Sequence, residues 1–395
     1  MISVDDAQAH IDKSIYQTES ESVTLSKAHG RLLRETIHAD RDMPPFHRVA
    51  MDGIAICLES WKNGNTSFVI EGIVPAGSET LTLQENNACI EVMTGCVLPI
   101  GTNCVIRVED ISINEASGDR IASLGKLELT DMQNVHQQGT DNANGDVLLE
   151  KGRLIRSAQI AVLSSVGKSS VLVAKRPSVA IIATGDELVE VDKTPLDHQI
   201  RMSNIYAIFS ALEDYGIEKL ERYHITDDKE SLREKLKTIS EEFDILIMSG
   251  GVSMGKFDYV PEILDELNIE KQFHKVAQRP GKPFWFGTNE TTRVFALPGN
   301  PVSTIVCFHR YVMPFIRKCI GYEVELQKLE LAEDLSFRPN LTLFQPVTAQ
   351  KHLAIPVKLN GSGDFCGLAR TSGFIELPAN TELHKKGGSY TYYPI

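Results

Sequence analysis

Phe243 to Tyr259 reads FDILIMSGGVSMGKFDY, and the fold turns on how this stretch is read. Asp244 to Met248 is a short apolar run rich in Ile and Leu, the texture of a strand buried on both faces of a parallel sheet. Ser249-Gly250-Gly251 ends it, and glycines there let backbone amides come close to a ligand. Gly255, Lys256 and Asp258 follow, just ahead of a helical pattern at Tyr259 to Leu267. Ligands of open α/β sheets sit beyond the carboxyl ends of strands, which is where this loop falls. A cation, a carboxylate and free amides in one turn suit an anionic or phosphorylated substrate held with a metal. The same residues also fit an ordinary strand-to-helix connection whose charges are solvated, because double glycines after strands are common.

Working outward, residues 178 to 321 alternate strand and helix. Val179 to Ala183 reads as a buried strand, followed by Thr184-Gly185-Asp186-Glu187-Leu188. Ser203 is placed to cap a helix that Gly216 ends, with Ile205, Ile208, Phe209 and Leu212 inward. A strand at Leu220 to Ile225 runs into Thr226-Asp227-Asp228, and a polar helix leads on to the central strand. Arg293 to Leu297 is a late strand ending in Pro298-Gly299-Asn300-Pro301. Asn300 as cap and Pro301 at the first helical position predict a long apolar helix to Cys319, closed by Gly321. Such alternation means a parallel sheet with helices on both faces.

The flanks have other textures. Ser3-Val4-Asp5-Asp6 is a helix start with an acidic first turn, and a second helical pattern covers Ala28 to Ile37. Pro44-Pro45-Phe46 then forces an extended segment. Between Ser67 and Gly152, short alternating runs separated by Gly, Asn and Pro predict a β-rich module. Helical spacing returns at Ile155 to Val166, and the tail from residue 326 is again β-rich. The expected architecture is multidomain α/β plus β. Residues 1–45 and 148–177 form an extended and helical N-terminal region, 46–147 an inserted β-rich module, 178–325 the α/β domain, and 326–395 a C-terminal β domain.

Composition bounds what the chain can do. A length of 395 residues exceeds one ordinary core, and 42% hydrophobic with 24% charged residues is globular texture. No run approaches the roughly 18 apolar residues of a membrane span, and the acidic amphipathic start is not a secretory signal. The expected location is therefore the cytoplasm. A formal charge of -13 argues against nucleic acid or an anionic membrane as partner. Seven cysteines, an odd number without a CxxC pair, indicate neither a disulfide framework nor a zinc site. The eleven histidines show no ligand spacing, and no GxxxxGK[ST] phosphate loop is present.

Polar groups fall at the carboxyl ends of several predicted strands: Asp186 and Glu187, Asp227 and Asp228, Asp258, and the turn from Pro298 to Ser303. One acidic residue after a strand is usually a helix cap. Several converging on one sheet edge suit Mg²⁺ with a phosphorylated ligand, since Mg²⁺ is held by a few carboxylates plus phosphate oxygens. Lys275, Arg279 and Lys282 lie in HKVAQRPGKP, where proline and glycine fix a loop and form the local basic cluster an acidic chain needs to hold an oxyanion. The helix beginning at Pro301 offers amides and Ser303 to the same anion. A solvated surface run is the plainer account of the lysines. Asp52, in Ala50-Met51-Asp52-Gly53, is by itself only a turn aspartate.

Taken together, these motifs resemble the molybdopterin molybdenumtransferase family, the bacterial MoeA proteins and the E domain of gephyrin. The matching stretches are PPF followed by AMDG (Pro44 to Gly53), MTG (Met93 to Gly95), ATGDEL (Ala183 to Leu188), SGGVSMGKFDY (Ser249 to Tyr259), RPGKP (Arg279 to Pro283) and ALPGNPVS (Ala296 to Ser303). They occur in the family's order and cover nearly the whole chain through residue 321. The resemblance implies an α/β domain of the molybdopterin-binding kind and a β-barrel-like C-terminal domain. It implies an enzyme that inserts molybdate into adenylylated molybdopterin, releasing AMP with the help of Mg²⁺.

It further implies a homodimer whose active site joins one subunit's α/β domain to the other's N-terminal modules. A molybdopterin adenylyltransferase and recipient molybdoenzymes are the implied further partners. Carried over by position, Asp52, Thr94, Glu187 and Asp258 are the catalytic set, with Glu187, Asp227 and Asp258 as metal ligands. Asp141, Asp227, Ser249, Gly250, Gly251, Lys275, Arg279, Lys282, Asn300, Pro301 and Ser303 are the substrate-binding set. The chain departs from the pattern at His47, Arg48 and Val49, which replace a polar run, at Ile54 in place of a tyrosine, and at Arg279 where lysine is frequent. Molybdopterin adenylyltransferase and the competence-damage-inducible proteins share the α/β domain alone, so the β-rich module and PPF…AMDG argue against them. A non-catalytic scaffold, a role gephyrin also has, is the reading from a different class.

Overall fold

A computed structural model describes residues 1–116, 118–251 and 259–395. The chain divides into two compact units, one of Met1–Glu21 with Val173–Ile395 and one of Ser22–Leu172.

The larger unit is built on a six-stranded sheet in the order Leu220–Ile225, Val179–Thr184, Ile245–Ser249, Arg293–Leu297, Trp285–Thr288, Glu270–His274. The first four strands are parallel, and Trp285–Thr288 runs antiparallel to both of its neighbours, Arg293–Leu297 and Glu270–His274. Alternate side chains explain why the strands read as continuous apolar runs. Ile181, Ile247 and Phe295 pack to one face with the helices Asn204–Asp214 and Pro301–Cys307. Ile182, Leu246 and Met248 pack to the other face with the helices Lys229–Glu242 and Val260–Glu266. Both faces are dry, so neither leaves a polar period in the sequence.

The N-terminal helix Val4–Lys13 starts as predicted, with Ser3 and Asp6 forming a reciprocal capping box. It buries Val4, Ala7 and Ile11 in the first of those cores. Two predicted caps differ in detail. Ser203 and Asn300 occupy cap positions, yet neither side chain bonds to its own helix. Asn300 Nδ2 donates instead to Ser362 Oγ at 3.0 Å. The long helix predicted to Cys319 is continuous but interrupted by a π-helical turn, Phe308–Val312, before Met313–Cys319. Pro314 has no N–H to give the preceding turn and its ring crowds the carbonyl four residues back, which the wider turn absorbs.

The tail closes on itself. Thr342–Gln350, Leu353–Pro356, Lys328–Leu331, Ser389–Pro394 and Gly373–Leu377 pair in that order, and the last pairs back with the first, giving a five-stranded barrel. Gln278–Arg279, from the α/β domain, adds to it in parallel beside Thr342 and Leu343.

The smaller unit carries a second six-stranded sheet, with Gly53–Ile56 between Cys104–Arg107 and Ala88–Val92. Ala55, Ile90 and Val105 face one core, and Ile54, Cys89 and Ile106 the other. Gly53 is irreplaceable by size: at φ +157, a Cβ would lie 1.8 Å from the Ile106 carbonyl oxygen. The helix expected over Ala28 to Ile37 is absent. Gly30 takes φ +74, Leu33 N–H donates to Arg153 O at 2.9 Å, and Ile155 N–H donates to Arg31 O at 2.9 Å. Ala28, Leu32, Leu33 and Ile37 are all buried, so the helix-like spacing served an extended segment pairing with a distant one.

Candidate functional site

The carboxyl ends of the central strands enclose a cavity of about 410 Å³, lined by Thr184, Glu187, Ser249, Gly250, Asn300 and Pro301 among others. Gly250 and Gly251 take φ +97 and +69 to turn the chain away from the strand. A Cβ on Gly251 would meet Thr184 Oγ1 and Val260 Cγ2, each at 2.7 Å, so the turn presses on its neighbours and admits no side chain. Asn204, which sequence reasoning passed over as a helix residue, ties the floor together. Its Nδ2 reaches Ser249 Oγ at 2.9 Å, Gly299 O at 2.7 Å and Thr304 Oγ1 at 3.1 Å.

Glu187 lines this cavity, and Asp186 and Asp227 lie close enough to it and to each other to interact by charge. Asp227 N–H donates to Asp186 Oδ1 at 3.2 Å, and His224 Nε2 lies 3.0 Å from Gly185 O. Burial, then the charges of Asp186 and Glu187, push the Asp227 carboxyl above its usual range. Asp228 stands apart from this group. It accepts from Ser231 N–H at 2.8 Å and is the cap of the next helix, not a member of the cluster. Among the described residues no three carboxylate, His or Cys side chains are grouped as a metal cage. Asp258, expected as catalytic group and third metal ligand, lies outside the described residues.

A second cavity, about 600 Å³, lies between the basic loop and the barrel and is lined by Arg279, Lys282, Asn300 and Ser303. Asn300 and Pro283 line both cavities. Lys275 does not line this one; it holds φ +73, with its backbone N–H donating to Phe284 O at 2.9 Å. The loop is braced from inside by Gln278, 1% exposed. Gln278 Nε2 reaches Pro280 O at 3.2 Å and Gly281 O at 3.3 Å, while its Oε1 accepts from the Tyr311 hydroxyl at 2.5 Å. Gly281, at φ +94, leaves room for that amide.

The first turn of the Pro301 helix offers less than predicted. Pro301 has no N–H, and that of Val302 donates to Ser362 O at 3.0 Å. Ser362 thus joins the site through both its hydroxyl and its carbonyl. Its signal in the sequence was the turn Asn360-Gly361-Ser362-Gly363, which had no visible tie to the helix 60 residues earlier.

In the smaller unit, Asp52 and Thr94 meet: Thr94 N–H and Thr94 Oγ1 both donate to Asp52 Oδ1, at 2.6 and 2.7 Å. These bonds hold the Asp52 carboxyl below its ordinary range. Asp141 accepts from His136 Nε2 at 2.9 Å, and His136 Nδ1 lies 2.9 Å from Arg48 Nη2. A guanidinium only donates, so Nδ1 is the acceptor and Nε2 carries the proton. The departure at Arg48 therefore supports Asp141 through His136.

Comparison with known proteins finds matches over both the N-terminal modules and the α/β domain. Residues 2–167 match the MoeA N-terminal region (domain I and II), and 180–318 match a probable molybdopterin binding domain. A molybdopterin molybdenumtransferase of Synechocystis is 36% identical over 379 residues, covering 94% of each chain. One of Staphylococcus epidermidis is 32% identical, covering 98% of this chain and 94% of that one. The chain belongs to the molybdopterin molybdenumtransferase family. Two structures of the molybdopterin biosynthesis MoeA protein from Pyrococcus horikoshii cover the whole chain with TM-scores of 0.84 and 0.81, at 28% and 26% identity. The family's multidomain architecture of α/β plus β is thus present throughout. No helix among the described residues is long and apolar enough to cross a membrane.

Proposed function

We propose that this member of the molybdenumtransferase family inserts molybdate into adenylylated molybdopterin and releases AMP, giving molybdenum cofactor. One observation carries the reading. Two cavities share Asn300, one walled by Ser249-Gly250 and Glu187, the other by Arg279, Lys282 and Ser303. The first suits a nucleotide-linked pterin at the strand ends, and the second a tetrahedral dianion.

In this reading Ser249, Gly250 and Gly251 hold the pterin-nucleotide, with Asn204 keeping the strand ends in register. Arg279, Lys282 and Ser303 hold molybdate beside it. Glu187 and Asp227, with Asp258, are the oxygen donors that would hold Mg²⁺, and the mutual repulsion among Asp186, Glu187 and Asp227 is what a cation there would relieve. Bound Mg²⁺ would neutralise phosphate charge as the phosphoanhydride is cleaved. Asp52, kept ionised by Thr94, and Asp141, oriented by His136, complete the set from the N-terminal modules.

We further propose that the enzyme is a homodimer whose N-terminal modules serve the partner subunit's α/β domain, and that an adenylyltransferase and recipient molybdoenzymes are its partners. The test is AMP release from adenylylated molybdopterin by purified protein with Mg²⁺. Release that depends on added molybdate is the expected result, and no release under any condition would remove the assignment.

A further inference from the structure

The larger cavity has two unlike walls. The α/β domain supplies the basic loop and the start of the Pro301 helix. The barrel supplies a mostly apolar surface, including Leu341, Leu343, Phe344 and Val357. Only two charged residues among those described reach the cavity from the barrel side, Lys358 and Glu333. Lys358 is exposed, and its ammonium has no ion pair or hydrogen bond among the described residues.

The backbone beneath Lys358 is well fixed. Val357 N–H donates to Pro346 O at 2.9 Å, and Gln345 Nε2 donates to Val357 O at 3.0 Å. Just beyond, the Asp364 carboxylate takes the amides of Asn360 at 3.0 Å and Gly367 at 2.8 Å. Ser362, in the same loop, is bonded to Asn300. A lysine anchored at its base, its ammonium without a partner among the described residues, therefore lines the same cavity as Arg279 and Lys282. Three cations around one space repel each other, and Glu333 is the only carboxylate lining it among the described residues. A dianion satisfies all three.

We propose that Lys358 is an oxyanion-binding residue, the cation that the barrel contributes to the dianion held by Arg279, Lys282 and Ser303. The role rests on the reading of this cavity as the molybdate site. Glu333, lining the same cavity, opposes the anion and serves as an internal control of opposite sign.

Equilibrium dialysis of the full chain against sodium molybdate tests it. Lys358→Gln should bind about tenfold more weakly, Lys358→Arg close to wild type, and Glu333→Gln two- to threefold more tightly. Adenylylated molybdopterin should bind Lys358→Gln as it binds wild type. Unchanged molybdate affinity in Lys358→Gln, with clear weakening in Arg279→Ala, would overturn the role of Lys358 and leave the cavity standing. Unchanged affinity in both variants overturns the cavity as the molybdate site. Equal loss of molybdate and pterin affinity in Lys358→Gln also overturns the proposal, since it marks general attraction of anions.

Discussion

Asp52 Oδ1 accepts both the backbone N–H and the hydroxyl of Thr94, residues 42 positions apart, at 2.6 and 2.7 Å. The AMDG and MTG turns are therefore two halves of one structure. Both residues are exposed, so the pairing adds little to the fold and leaves the second carboxylate oxygen open to other partners. An exposed aspartate held ionised and in one orientation is suited to act on a ligand rather than to support a core.

Removing the hydroxyl alone should show this. Thr94→Val keeps the backbone bond, and AMP release should slow about tenfold while Thr94→Ser restores it. Asp52→Asn, which deletes the charge, should cost about a hundredfold, the scale of losing one electrostatic group. A wild-type rate in Asp52→Asn would return Asp52 to being a turn residue.

Shared sites make a separate prediction. Mixing inactive Asp52→Ala with inactive Asp258→Ala protein should regain activity, because a heterodimer would hold one intact site. If subunits demonstrably exchange and activity stays absent, each site is built within one chain.

The brace under the basic loop should matter to stability and to anion binding together. Tyr311→Phe strands Gln278 Oε1 in a buried place, a loss of about 1–3 kcal/mol. Chemical denaturation should register that loss, and molybdate should bind several-fold more weakly as Arg279 and Lys282 lose their fixed positions. Retained stability would show that the hydroxyl bond does not hold the loop.

Thr184 gives the opposite sign. Its Oγ1 is buried beneath the glycine turn with no hydrogen-bond partner among the described residues. Thr184→Val should therefore raise stability by about 1 kcal/mol, measured as a higher unfolding midpoint. A destabilised variant would mean that the hydroxyl has a partner in solution.

His309, on the π-helical turn, sets a pH dependence. Burial, and then Arg317, lower its pKa to about 4, from an ordinary 6.5. Well above pH 6.5 the ring is neutral whether folded or not and contributes no slope. As pH falls, the unfolded chain gains a proton that the folded chain refuses, so stability drops by up to ~3 kcal/mol on approaching pH 4. His309→Gln should flatten that decline in urea unfolding between pH 7 and 4.5. Parallel curves for variant and wild type would assign the acid sensitivity elsewhere.

Much of the lining of the candidate site was legible because its parts sit at strand ends. Continuous apolar runs such as Ile245 to Met248 declare a parallel sheet, and whatever follows them must lie at its ligand edge. The failures share a cause. Asn300 and Asp228 are equally good caps by sequence; Asp228 caps its helix, while Asn300 turns to Ser362, a partner 62 residues away. Ala28 to Ile37 had helical spacing, yet its backbone found partners near Arg153. Gln278, Asn204 and Ser362 act through bonds to distant segments, and local propensity carries no information about those. Lys275 was grouped with Arg279 by nearness in sequence, although only Arg279 lines the cavity.

The pairing of Gln278–Arg279 with Thr342–Leu343 has a consequence for what can be cut apart. The RPGKP motif belongs to the α/β domain by sequence, but its backbone is an outlying rung of the barrel. A protein truncated after residue 325 would keep every letter of that motif and its Gln278 brace, yet lose the strand pairing with Thr342 and Leu343. In the proposed function, anion recognition would draw on a strand pairing that the tail supplies to a loop it does not encode. Transplanting the motif into a solitary α/β domain would carry over the charges without that pairing.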